Sequence, residues 1–161
     1  MIVVSDTSCI SNLLLIHQLD LLQKIYLEIY IPPIVYNEIL ELEKSGQNLE
    51  EFKTKSWIVV ESKFKRNISL TPPKYVDAGE AEAIDLALHL KAERLLIDER
   101  KGTLLANKLG ITTIGLLGIL IIAKENNLIP SVKVLLDQLI KNKFWLSNNL
   151  YQQALKSANE Q

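Results

Sequence analysis

The chain has 161 residues, 48% of them hydrophobic and 23% charged, which is enough apolar material for one compact domain and too little chain for a second full one. A formal net charge of -1 gives no global attraction for nucleic acid, so a phosphate-bearing partner would have to meet a local basic surface or a bound cation. A single cysteine, Cys9, excludes an internal disulfide, and no His/Cys cluster has zinc-ligand spacing, so the expectation is a reducing, cytoplasmic setting without structural zinc.

The first residues, Met1-Ile2-Val3-Val4-Ser5-Asp6, lack the features of a secretory signal and read as a core strand ending at Asp6. Apolar runs at Ile2–Val4, Ile58–Val60, Leu95–Ile97 and Thr112–Ile114 alternate with longer segments of helical period, the pattern of a mainly parallel sheet covered by helices. Pro32-Pro33 suits the first turn of a helix running to about Lys44. Its stripe takes in Ile31, Ile34, Val35 and Leu42, and the core-facing place between them is held by Glu38. Six cationic residues from Lys53 to Lys74 surround the strand at Trp57–Val60, and the polar stretch Ser62–Asp77, with Pro72-Pro73, is expected to be a mobile surface loop. In the helix beginning near Ala78, Glu80 lines up with Ile84, Ala87 and Leu88, while Glu82, Asp85, His89 and Glu93 share a face expected to meet water. The greasy stretch Ile111–Ala123 falls short of the ~18 residues of a membrane span and reads as a strand followed by a buried helix. Pro130 opens a helix over Val132–Ile140, and Ser147 caps a last one through about Lys156. No repeat or linker interrupts this order, so residues 1–161 read as a single domain.

Four acids stand out. Asp6 and Asp98 follow strand-like runs, where open parallel sheets gather ligands, and Glu38 and Glu80 interrupt inward helical stripes. If they converge, each close pair at ~4 Å repels by about 4 kcal/mol at an effective dielectric of ~20, so without a cation protonation or separation is expected. Mg²⁺ or Mn²⁺ matches an all-oxygen site and can join carboxylates to a phosphate. Each acid also has a local reading: Asp6 as the cap of Asp-Thr-Ser, Glu80 as the end of an Asp77-Ala-Gly-Glu80 capping box, Glu38 as a partner of lysine, and Asp98 as a turn residue before Glu99-Arg100-Lys101-Gly102. Cys9 reads as a buried small hydrophobe instead of a nucleophile, because neither His17 nor His89 stands in a motif relation to it. Arg100, Lys101 and Lys108 are placed to flank an RNA backbone, with the Lys53–Lys74 lysines as a second wall, or else simply solubilise the surface. Tyr26, Tyr30 and Tyr36 lie too close to apolar runs to read as base-stacking platforms.

The order of Val4-Ser5-Asp6-Thr7-Ser8, Ile31-Pro32 with Val35-Tyr36-Asn37-Glu38, Gly79-Glu80-Ala81-Glu82-Ala83-Ile84, Leu95-Leu96-Ile97-Asp98-Glu99-Arg100-Lys101-Gly102 and Ile114-Gly115-Leu116-Leu117-Gly118 resembles the PIN-domain nucleases, in a bacterial and archaeal PIN-like group. The tail, Phe144-Trp145-Leu146-Ser147 with Leu150-Tyr151, is similar to that group as well. The resemblance implies a three-layer α/β/α fold and an endoribonuclease using Mg²⁺ or Mn²⁺, often the toxin held by an antitoxin protein. It places Asp6, Glu38, Glu80 and Asp98 as the catalytic, metal-binding quartet, with Ser8 orienting a carboxylate or water. Two departures are visible: Ile97 stands where many PIN domains have Thr or Ser, and the adjacent Asp98-Glu99 pair makes Glu99 a reserve ligand. The resemblance also implies a homodimer, in line with the apolar Ile119–Ile122 run and the helix after Pro130. The competing readings are a noncatalytic PIN-like module that docks RNA or protein, and a receiver-like domain phosphorylated on Asp6 or Asp98, disfavoured because the other acids lie within helices.

Overall fold

The computed structural model describes residues 1–161, and its centre is one sheet of five short parallel strands: β1 (Val3–Ser5), β2 (Ile29–Ile31), β3 (Ile58–Val60), β4 (Arg94–Leu96) and β5 (Thr113–Ile114). Their order is β3-β2-β1-β4-β5. The helices are α1 (Thr7–Leu15), α2 (Asp20–Tyr26), α3 (Pro33–Glu41), α4 (Glu50–Lys53), α5 (Ala78–Leu90), α6 (Arg100–Lys108), α7 (Leu116–Glu125), α8 (Val132–Lys141) and α9 (Asn148–Ser157), with a 3-10 turn at Leu42–Ser45 continuing α3. No helix is long and apolar enough to cross a membrane.

Alternation along the strands sorts side chains into two cores, making the α/β/α layering expected from sequence. Val3 and Leu96 enter the larger core, of 30 buried residues, with Leu13 of α1, Val35 of α3 and Leu120 of α7. Val4, Leu95 and Ile97 enter the smaller one, of 10, beneath Ile84 of α5 and Ala106 of α6. Ser147 caps α9 as expected, accepting from Leu150 N at 3.2 Å, and the helix expected after Pro130 is capped by Ser131, which accepts from Val134 N at 3.3 Å.

Three expectations need correction. Ile31 belongs to strand β2, which pairs with β1 and β3, and not to the stripe of the following helix. A residue before proline is pushed out of the α region, and Pro32 itself is extended at φ -77, ψ 161, so Ile31-Pro32 ends a strand. Asp85 does not face water: it is 2% exposed, and its carboxylate accepts from Asn67 N, Ile68 N, Ser69 N and Ser69 Oγ at 2.7–3.0 Å. Glu82 is drawn onto Arg66 at 2.8 Å, and Arg66 in turn lies over the Phe64 ring, 4.2 Å from its centroid. Together with buried Phe64 and Val76, these contacts pin the 62–77 segment to α5, so a mobile loop is replaced by an anchored one. His89 is exposed, as expected.

Candidate active site

The strand order reverses between β1 and β4, because the chain steps from β1 outward to β2 and β3 and then returns to lay β4 on the other side of β1. Ligands gather outside the carboxyl ends of strands at such a point. The register Ser5↔Leu96, with Asp6 N donating to Leu96 O at 2.9 Å, brings the chain out of β1 and β4 side by side at that edge. Asp6 and Asp98 both open there onto a pocket of about 610 Å³ that is also lined by Glu38 and Glu80.

Three of the four carboxylates are held by hydrogen bonds. Asp6, 2% exposed, caps α1: Oδ1 accepts from Cys9 N at 3.1 Å, and Ser8 Oγ donates to Oδ2 at 2.9 Å. Glu38 projects from α3 and accepts from Thr7 Oγ1 at 2.5 Å through Oε2, not from a lysine. Asp98 is exposed along one flank, and on the other its Oδ1 accepts from Leu116 N at 2.9 Å, so it anchors the start of α7 instead of shaping a local turn. Glu80 is buried in the first turn of α5, yet the capping box is half made: Asp77 Oδ1 accepts from Glu80 N at 2.8 Å, while Glu80 Oε2 is buried without a partner. Glu99, the reserve ligand, caps α6 by accepting from Lys101 N at 2.6 Å and Gly102 N at 3.1 Å through Oε2.

Three glycines seat these acids. A β-carbon at Gly79 would fall 2.6 Å from Glu38 Oε1, one at Gly102 would fall 2.7 Å from Glu80 Oε2, and one at Gly115 would fall 2.5 Å from Asp98 Oδ1. The requirement is close approach, not left-handed backbone, since none of the three has a positive φ. Gly79, Gly102 and Gly115 were visible in the motifs as residues without an assigned role.

No Lys, Arg or His lines the pocket, so the acids press on one another. Burial pushes the Asp6 pKa up to about 7, with Asp98 and Asp77 adding to the rise and the bonds from Cys9 and Ser8 opposing it. Burial and the charges of Asp77, Glu99 and Asp6 push Glu80 up to about 8. Partial burial also raises Asp98, against the hydrogen bonds from Leu116 and Cys9. Cys9 lies beneath them, fully buried, its Sγ 3.7 Å from Asp98 Oδ2, and burial raises its thiol well above the ordinary range. That is the inert small side chain expected.

The residues fit a hard cation by chemistry: oxygen donors only, uncompensated charge, and the orphaned Glu80 Oε2. As they stand, no three of the His, Cys, Asp and Glu side chains converge into a ready coordination sphere. Mutual repulsion is the physical reason for carboxylates sharing a pocket without meeting at one point. Ser8 lines the pocket, whereas Arg100 and Lys101 are exposed on the first turn of α6 outside it, and Lys101 faces a separate hollow with Tyr75, Leu104 and Lys108. The second basic wall is partly neutralised, because Lys53 pairs with Glu43 and Lys55 with Asp20. Leu117, Phe144, Trp145, Leu146 and Leu150 form the apolar wall of the same pocket.

The DUF3368 family model, a PIN domain, matches residues 2–160. The chain belongs to the PIN-domain family. PIN domains are typically nucleases, usually served by divalent metals, which agrees with an acidic pocket at the reversal of the strand order. A solved structure, a PilT N-terminus domain protein from the hyperthermophilic archaeon Sulfolobus solfataricus P2, shares the fold at a TM-score of 0.54 and 22% identity, covering 74% of this chain and 90% of its own. No curated protein matches the chain.

Proposed function

We propose that this PIN domain is a metal-dependent endoribonuclease, with Asp6, Glu38, Glu80 and Asp98 as its catalytic and metal-holding carboxylates and Glu99 in reserve. The observation that carries the reading is that four acids from four separate elements open on one pocket that contains no cationic side chain. A bound Mg²⁺ or Mn²⁺ would supply the missing positive charge and polarise an RNA phosphodiester for hydrolysis. The chain's own part is to orient the carboxylates: Ser8 fixes the Asp6 rotamer, Thr7 fixes Glu38, and the backbone of Leu116 fixes Asp98. Arg100 and Lys101, exposed beside the pocket, supply phosphate contacts outside the reacting centre.

Cleavage of single-stranded RNA with Mg²⁺ or Mn²⁺ tests this: wild type cleaves, and Asp6→Asn loses at least about 100-fold, a loss typical of the outer range for a tuned metal site. Equal activity in the two proteins removes the chemistry. The role as a toxin held by an antitoxin protein is tested in cells, where wild type arrests growth and Asp6→Asn does not. Exposed Val134 and Ile140 on α8 support a homodimer, which sedimentation checks. A second reading, a noncatalytic PIN-like module docking RNA or protein, is favoured by the lack of a converged coordination sphere. Calorimetric titration with Mn²⁺ separates the two, because the module has no specific site.

A further inference from the structure

Trp145 has no partner that explains its position. It is 81% exposed, the most exposed large hydrophobic residue of the chain, whereas the other tryptophan, Trp57, is 7% exposed. It does not sit on a loose tail. Phe144 N donates to Leu139 O at 2.9 Å as α8 ends, and Ser147 caps α9 two residues later, so the indole is carried on a short connection fixed at both ends. Phe144 and Leu146 on either side pack against the larger core, leaving Trp145 alone facing outward at the wall of the acidic pocket.

We propose that Trp145 is the platform on which an unpaired nucleobase of the substrate RNA stacks beside the carboxylates; this rests on the ribonuclease reading above. The acids can draw a phosphate only through a bound cation, since the charged lining is acidic throughout, so they do not themselves hold the base. The part of a nucleotide that suits the apolar share of the lining is the flat, uncharged base, and indole faces bind bases with little regard to sequence. Asn12 on α1 lines the same pocket and makes no side-chain hydrogen bond within the chain, so its amide is free to meet the edge of a stacked base. Carboxylates and an indole lining one pocket give a single-stranded substrate a register: one base is held while the adjoining phosphodiester meets the cation that the acids would hold.

The test uses the full chain and a single-stranded hexaribonucleotide, with Ca²⁺ replacing Mg²⁺, read by anisotropy and by tryptophan emission. Wild type binds, and its emission is quenched by the hexamer but not by an abasic hexamer of the same charge. Trp145→Ala weakens binding about 5- to 150-fold, the loss of one base–aromatic stack, and Trp145→Phe recovers most of it. Thermal unfolding of Trp145→Ala stays close to wild type, because so exposed a ring contributes little to folding. An abasic hexamer that binds as well as the base-bearing one, or a Trp145→Ala affinity within twofold of wild type, overturns the platform. When wild type still cleaves RNA under Mg²⁺ in that case, the ribonuclease reading survives; a wild type that neither binds nor cleaves ends both. Altered self-association or lost protein binding in Trp145→Ala, with RNA affinity intact, makes the indole a protein contact and also overturns it.

Discussion

Without a divalent ion, the fold should lose stability as pH rises through neutrality, opposite to the behaviour of a protein whose carboxylates are salt-bridged. Asp6 binds its proton with a pKa of about 7 in the folded chain against 3.8 unfolded. Between those values the folded state holds more protons, so stability is fully present below about pH 4 and falls until about pH 7. At about 1.4 kcal/mol per pH unit for one proton, Asp6 alone removes about 2 kcal/mol between pH 5.5 and 7. At 2–4 °C per kcal/mol for a chain of this size, that is roughly 4–8 °C in Tm. Glu80, raised to about 8, acts in the same direction up to a higher pH, though part of its shift is Asp6's own charge and the two do not add. Glu160, lowered to about 2 by bonds from Ser131, Val132 and Lys133 and by Lys124, has the opposite sign and acts only as pH falls below about 4.5. Thermal unfolding by circular dichroism in EDTA between pH 5 and 9 reads the window. Asp6→Asn flattens it while keeping the helix cap, since Asn caps as well as Asp. Saturating Mn²⁺ reverses the slope, because the ion binds the ionised carboxylates and adds about 2.7 kcal/mol at 100 times its Kd. A Tm in EDTA that is flat or rising from pH 5.5 to 7.5, unchanged in Asp6→Asn, would refute this account of the pocket.

Gly79→Ala places a β-carbon 2.6 Å from Glu38 Oε1, and the end of a flexible side chain gives way more readily than backbone. Folding stability should therefore stay within about 1 kcal/mol, helped by the better helix propensity of Ala, while Mn²⁺ affinity and RNA cleavage fall about 10-fold or more; unchanged calorimetric affinity would show that the seat does not position Glu38. Asp85→Ala leaves three backbone N–H groups of the 67–69 turn without their acceptor and should cost about 3 kcal/mol or more in urea unfolding, with new cleavage between residues 62 and 77 in limited proteolysis. A segment that stays resistant in that variant would show that Phe64 and Val76 hold it without the carboxylate.

The layers and most helix starts were legible because they follow from periodicity and caps, which act locally: Ser147 and Asp77 cap the helices their spacing announces. Placing Asp6 and Asp98 at strand ends was legible for the same reason, and parallel pairing then brings residues far apart in sequence to one edge. Strand β2 is hard to read from sequence although Ile31-Pro32 carries a signal, because Ile31 also fits the period of the helical stripe that follows, and only the steric effect of Pro32 separates the two. Asp85 was read as solvated because a helical wheel shows only the helix; the 67–69 turn that covers it arrives from outside the wheel. The glycine seats and the apolar wall depend on contacts between elements, so no local pattern encodes them. The exclusion of tyrosines as stacking platforms agrees with a buried Tyr26 and with Tyr36 packed on Phe52 at 5.4 Å between ring centroids, while Trp145, which no local pattern marks, stands free.

The acids' division of labour follows from the same geometry. Asp6 had two competing readings, helix cap and metal ligand, and the structure gives it bonds that serve the first without exhausting the second: backbone N–H on Oδ1, only a rotatable hydroxyl on Oδ2. Asp98 repeats this, with Leu116 N on Oδ1 and a distant thiol on Oδ2, and Glu38 does so with Thr7 on Oε2 and Oε1 unbonded against Gly79. Glu80 keeps Oε2 without a hydrogen-bond partner, because Asp77 caps α5 in its place. Structural bonds on one oxygen fix the direction of the other, and carboxylates fixed in this way repel one another whenever they are ionised together. The apolar wall is built differently: Trp145 lies between α8 and α9, and α9 lends Ala154, Leu155 and Ala158 to the larger core. Removing the tail would therefore strip Ala154, Leu155 and Ala158 from the larger core, whereas changing the exposed ring of Trp145 alters the wall and leaves the acids in place.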